Sequence, residues 1–256
     1  MGLSIATMRL SRRVMFALAR VALLVSLAAA PAFAQHSAAF SHQSPHVGHA
    51  EHPASEAAWE GSEEGIAYSE SNHHISGLMV VLMGLAELSH VLRLSSLQWA
   101  RFLLPSALLA AGLFLMVWSD HDAWPIGALT FADTFGGADH EILQHKIYGI
   151  LALTVGSVEL FRRSGRIGHK AWASPLPLMA IVGGLMLFGH SHGSHPSAHK
   201  IAMHHAIIGT MALTAGSSKL VSAWIGDREA SRARRWEWVW VAFILLIGTQ
   251  LLLYTE

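Results

Sequence analysis

Three stretches of sequence decide the fold: HHISGLMVVLMGLAEL at residues 73–88, HKIYGILALTVGSVEL at 145–160 and HAIIGTMALTAGSSKL at 205–220. Each begins with a histidine, has a glycine four residues later and a second glycine seven residues after that, and ends in leucine. At about 100° per residue these four positions lie on one stripe of a helix, and glycine lets helices approach closely in lipid. The repeat therefore predicts three equivalent helices that pack through this stripe.

The segments between these repeats also correspond to one another. Residues 105–120 align with residues 177–192, which brings Gly112 onto Gly184, and the last apolar stretch keeps Gly248. Apolar stretches lie at about 75–92, 102–118, 147–161, 176–189, 201–223 and 237–254. We predict an all-α membrane protein whose six transmembrane helices form three tandem hairpins (73–120, 140–192 and 199–254) with a pseudo-threefold internal repeat.

The composition excludes several classes of protein. Of the 256 residues 52% are hydrophobic and only 13% are charged, whereas soluble domains carry about 25% charged residues. Lys and Arg together number 17, as do Asp and Glu, so no basic excess indicates nucleic acid as a partner. The absence of cysteine excludes disulfide frameworks, thiolate metal sites and cysteine nucleophiles.

The N-terminal part is predicted to target the chain to a membrane. Residues 1–34 have a basic start, an apolar run at 21–30 and a small-residue cleavage pattern, Ala32-Phe33-Ala34, as in a secretory signal peptide. Residues 35–72 are rich in His and Glu without apolar periodicity and are predicted to be a disordered arm. Residues 73–256 form the transmembrane domain. Most of its Lys and Arg fall on one side, which the positive-inside rule makes cytoplasmic, so we predict a multi-pass protein of a bacterial inner membrane with its arm in the periplasm.

Histidine is the most informative residue type. In the predicted topology all but two of the 18 histidines, His90 and His169, lie in the arm or on the outer side. We predict that His73, His145 and His205 converge as an outer ring of imidazole ligands, a donor set that suits copper first and zinc or nickel as alternatives. Neighbouring candidates for ligands are His74, Asp120, His121, Asp122, His140, His190, His192, His199 and His204.

A second set of polar residues lies deeper in the same helices. Glu87, Glu159 and Lys219 each follow a repeat histidine by fourteen residues, which corresponds to about 21 Å along a helix. Two acids and one base at equivalent positions predict an ion-paired cluster near the cytoplasmic end. A structural cluster, snorkelling to the interface and a proton or cation relay all remain open for it.

The chain resembles bacterial copper-resistance membrane proteins, in particular the copper-resistance protein D family. The resemblance is one of layout, supported by the segments His73-His74, His190-Ser191-His192 and His204-His205. It implies uptake or handling of copper at the inner membrane, with the lipid bilayer and a periplasmic metal carrier as partners.

Two other classes of function stay open. The first is a b-type membrane cytochrome similar to cytochrome b561, with one haem b held near the outer face by His145 and His205 or by His190 and His205. The second is a metalloenzyme with an open outer metal. The sequence has no H-E-x-x-H pattern, so a non-enzymatic role is favoured.

Overall fold

The computed structural model describes residues 61–137, 139–189 and 197–256. The predicted signal peptide, most of the predicted arm, and His190 and His192 lie outside the described residues.

The described residues form helices and contain no strand. The α-helices are α1 (Glu63–Val91), α2 (Leu103–Val117), α3 (Phe131–Phe135), α4 (His140–Arg163), α5 (Pro175–Phe188), α6 (Ala198–Ile225) and α7 (Ala230–Leu252), joined in part by short 3-10 turns at Ser95–Phe102, Lys170–Ala173 and Gly226–Glu229. The six long helices fall on the six apolar stretches of the sequence. The short helix α3 lies in the link between α2 and α4.

Helix α1 begins earlier than the predicted boundary between arm and membrane domain. Residues 63–72 were predicted to belong to the disordered arm, but they form the first turns of α1. The Ser62 side chain accepts a hydrogen bond from the Gly65 amide, and Glu63 and Glu64 lie in the first turn, where acidic groups favour a helix N-terminus. These local signals, together with the hydrogen bonds that Tyr68 and Asn72 donate to the backbone oxygens of Trp118 and Ser119, outweigh the lack of an apolar period.

Four described segments are long and apolar enough to cross a bilayer: Glu63–Val91, Gln98–Val117, Lys170–Phe188 and Ala230–Leu252. Large apolar side chains such as Leu78, Leu113 and Leu185 are exposed on the outside of the bundle. By contrast Lys146 on α4 and Lys219 on α6 make their ion pairs inside it. This distribution is that of a multi-pass membrane protein, in which lipid covers the outer surface and polar groups face the interior.

Glycines mark the closest approaches between long helices. A Cβ atom added to Gly112 of α2 would lie 2.9 Å from the carbonyl oxygen of Gly149 on α4, and one added to Gly184 of α5 would lie 2.8 Å from that of Gly209 on α6. On α7 a Cβ at Gly248 would lie 2.8 Å from the backbone nitrogen of Val81 on α1. All three approaches join helices from different predicted hairpins, so the close approaches that these glycines mark lie between hairpins.

Candidate metal centre and central cavity

A cavity of about 640 Å³ runs through the interior of the bundle and is lined by all six long helices. At one end, which we call the histidine end, its wall includes His73, His145 and His205. At the other end the wall includes the indole of Trp240, whose Nε1 donates a 3.0 Å hydrogen bond to Glu87. The three repeat histidines therefore face one common space, although they come from three separate helices.

His73 is held on α1 by a contact within its own helix. Its Nδ1 lies 2.8 Å from the backbone oxygen of Ser69. Because a carbonyl oxygen only accepts, Nδ1 carries the proton, and in the neutral ring Nε2 holds the lone pair that a metal requires. The ring centres of His73 and His205 are 6.3 Å apart with an interplanar angle of 28°. His205 itself is buried, so α1 and α6 bring two imidazoles together at the histidine end.

His145 belongs to a compact polar group with Asp120 and Lys146. Its Nδ1 lies 2.7 Å from Asp120 Oδ1, while Lys146 Nζ lies 3.0 Å from Asp120 Oδ2 and donates to the backbone oxygen of Leu115 at 3.2 Å. Lys146 is fully buried. Burial by itself raises the pKa of Asp120, but the hydrogen bonds from His145 and Ser119 and the charge of Lys146 outweigh it, so this pKa lies below its ordinary value.

Replacing Asp120 with Asn is expected to lower stability in a pH-dependent way. A carboxyl whose pKa is lower in the folded than in the unfolded chain stabilises the fold. This contribution to stability is complete above the pKa of the unfolded chain, here 3.8, and is lost as the pH falls through the pKa of the folded chain. The thermal unfolding midpoint of Asp120→Asn in detergent should therefore be well below that of the parent at pH 7, and the gap should narrow towards pH 3. Asp122→Asn, two residues away and more exposed, is the matched control. A gap that stays constant over this range would contradict the expectation.

The other predicted ligands occupy different surroundings. His121 and Asp122 line the cavity and pair with each other at 3.0 Å. His74 Nε2 lies 3.0 Å from the backbone oxygen of Tyr254. His204 lies half-buried on α6, and His140 and His199 are exposed near the starts of α4 and α6. The predicted set is therefore divided between the cavity wall and the surface.

Within residues 61–137, 139–189 and 197–256, no three His, Asp or Glu side chains are gathered closely enough to hold a metal ion. The structure brings His73 to His205 and holds His145 on Asp120. The complete ring of three ligands stays a prediction.

Tyr254 is a part of the histidine end that sequence reasoning missed. It is buried just after α7, its ring stacks on His73 at 3.8 Å between centres, and its edge meets His204 at 5.3 Å. Its hydroxyl donates to Glu256 at 3.1 Å. Burial, with the charge of Glu256, raises the pKa of Tyr254, so this hydroxyl remains a donor. A tyrosine at the end of an apolar stretch is usually interpreted as an interfacial residue, and the sequence around Tyr254 does not indicate a contact with His73.

Glu87 is the centre of the polar group at the opposite end of the cavity. It is only 1% exposed. One carboxylate oxygen pairs with Arg163 at 2.7 Å, and the other pairs with Lys219 at 2.8 Å and accepts from Trp240. Lys219 also pairs with Glu237 at 2.7 Å. Helices α1, α4, α6 and α7 are thus joined through this one carboxylate and its partners.

Glu159 completes the same network from α4. It is also only 1% exposed and pairs with Arg162 and Arg163, each at 2.8 Å. Arg163 therefore links Glu159 to Glu87. The predicted set of Glu87, Glu159 and Lys219 lacked Arg163, although its position four residues after Glu159 is a recognisable helical ion-pair spacing.

Comparison of the chain with protein-family models, with curated proteins and with solved structures finds no match.

Proposed function

We propose that the protein binds and handles a transition metal at the histidine end of its central cavity, with copper as the first choice and zinc or nickel as alternatives. The observation that carries the proposal is the pairing of His73 and His205 at the wall of a cavity that His145 also lines. The proposal agrees with the layout that the chain shares with copper-resistance membrane proteins.

The separation of the two ring centres matches that of two imidazoles with one metal between them. A metal bound by two imidazole nitrogens on opposite sides, about 2 Å from each, keeps the ring centres roughly 6 Å apart. The observed separation is 6.3 Å. Imidazole is a suitable ligand for copper, and copper(I) accepts two ligands on opposite sides.

Groups around the histidines favour the same role. Histidines that bind metals usually donate their other ring N–H to a carbonyl or carboxylate, which fixes the ring and its tautomer. His73 does so to Ser69 and His145 does so to Asp120. In this arrangement Asp120 orients a ligand instead of serving as one.

The proposal includes a topology. All six long helices cross the bilayer around a pseudo-threefold axis, and the histidine end faces the periplasm. Equivalent glycine approaches between α1 and α7, α2 and α4, and α5 and α6 support the repeat. Arg162, Arg163 and Lys219 at the opposite end support the orientation. In this topology a periplasmic carrier delivers the metal to the mouth of the cavity, which is its opening at the histidine end.

The proposal predicts a loss of bound copper when the repeat histidines are removed. Full-length protein without an affinity tag of histidines should lose about one tightly bound copper ion per chain in the triple variant His73→Ala/His145→Ala/His205→Ala. The control is His90→Ala/His169→Ala, which removes two exposed histidines from the other side. The arm binds the same amount of copper in all samples. A difference in copper content after dialysis therefore reports the copper bound by the three repeat histidines. Equal copper content in the triple variant and the parent would reject the proposal.

A second candidate is a single haem b held by His73 and His205. The same ring spacing suits two axial ligands of one iron, and the largely apolar wall of the 640 Å³ cavity suits a porphyrin. The pair brought together is His73 with His205, whereas the sequence predicted a partner for His205 in His145 or His190. A reduced-minus-oxidised spectrum of purified membranes distinguishes the candidates: a sharp α band lost in His73→Ala supports haem and rejects copper handling.

A further inference from the structure

The central cavity is much larger than a metal ion requires. Its volume of about 640 Å³ lies within the range of about 300–1,000 Å³ that is typical of sites for small organic molecules. The wall extends along α2 from Leu104 to Leu115 and along α5 from Leu176 to Leu187, or about 17 Å in each helix. The bulk of this space lies beyond the histidines, so the metal proposal leaves it unexplained.

The deep part of the wall is apolar and aromatic. Leu108, Ala152 and Met179 contribute aliphatic surface, and the rings of Tyr148 and Trp240 lie in the same wall. Such a surface favours a bulky hydrophobic ligand.

The mouth of the cavity carries negative charge. The described lining residues include the carboxylates Asp120, Asp122, Asp139, Glu141 and Glu256, and among those residues none is Lys or Arg. Buried Lys146, behind the wall, offsets Asp120. Asp139 and Glu141 are only half-buried at the start of α4. An acidic entrance to a low-dielectric space concentrates cations and repels anions.

We infer that the cavity binds hydrophobic organic cations, whose apolar body enters the deep part while the positive charge lies among the carboxylates of the mouth. This inference does not depend on the metal, because it rests on the volume of the cavity and the charge of its wall. Ligands of the same shape with negative charge are excluded by the mouth.

Two probes of one shape and opposite charge test the inference. Tetraphenylphosphonium should bind the purified full-length protein, measured by equilibrium dialysis with detergent alone as the blank, at least about tenfold more tightly than tetraphenylborate. Tetraphenylphosphonium offers no donor atom to a metal, so its binding is independent of the fate of the copper proposal. Equal binding of both ions, preference for the borate, or no saturable binding of the phosphonium would overturn the inference.

Matched variants locate the site. Asp139→Asn/Glu141→Gln should weaken tetraphenylphosphonium binding about tenfold, and Asn can still cap α4 in place of Asp139. Glu63→Gln/Glu64→Gln removes the same charge from exposed positions in the first turn of α1 that do not line the cavity, and it should leave binding unchanged. Ala180→Phe, which places a ring in the cavity wall, should also reduce binding. Equal weakening by the two charge variants would show general electrostatic attraction and contradict a site in the cavity.

Discussion

Replacing Lys219 with Met should lower the free energy of unfolding by about 3 kcal/mol, because it removes one partner from a buried ion network. Lys219 pairs with Glu87 and Glu237, so its loss leaves Glu87 with Arg163 and Trp240 as its remaining partners, inside a bundle where water cannot replace the missing cation. For a chain of this size the thermal midpoint in detergent should fall by roughly 6–12 °C.

Lys200→Met is the matched control, since Lys200 lies on the same helix but is exposed and contacts only Thr255, at 3.5 Å, among the partners identified for it. Its midpoint should stay close to that of the parent. Glu87→Gln combined with Lys219→Met should cost less than the sum of the two single changes, because each change removes the same interaction. Equal midpoints for Lys219→Met and the parent would show that the ion pairs of Lys219 contribute nothing to stability.

Substituting Ala at Gly112, Gly184 and Gly248 should destabilise the bundle by about 2 kcal/mol at each position. Each added Cβ would meet the backbone of a neighbouring helix at less than 3.0 Å, and backbone cannot move aside as a flexible side chain can. The helix pairs α2–α4, α5–α6 and α1–α7 must then separate, which loses packing along their whole length. Thermal unfolding in detergent measures the loss of stability in each of the three variants.

Gly168→Ala is the control for this series, because a Cβ at Gly168 has no neighbour within 4 Å. The proposed threefold repeat adds a stricter requirement, namely that the three losses be similar in size. A large loss of stability at one position with none at the other two would contradict the threefold repeat, although the helix contacts themselves would still stand.

The positions of the long helices could be predicted because their signals are local. Apolar runs and the spacing from His73 to Gly77 and Gly84 repeat within single helices, and the structure places a helix on each run. The closest approach of each helix could not be predicted in the same way. Sequence adjacency favoured hairpins, whereas Gly112 and Gly248 show that the closest approach depends on which small residues face each other across the bundle.

For the site too, the sequence indicated individual residues but not the contacts that the fold creates between them. The repeat identified His73, His145 and His205, all of which line the cavity. Asp120, one of the predicted ligands, accepts a hydrogen bond from His145, a contact that the sequence did not indicate. Tyr254, more than 180 residues from His73 in sequence, stacks directly on it, and only the fold reveals that contact.

The approach of α1 to α7 has a consequence for how the chain matures. Gly77 and Gly248 bring together the first and last long helices of the described chain, so the wall of the central cavity closes only after α7, the last of these helices to be synthesised, has reached α1. Until α7 is inserted, α1 lacks its closest neighbour, and the polar groups of the interior lack one side of their enclosure. The wall of the cavity can therefore close only after translation has passed α7, when the other five long helices have already been made.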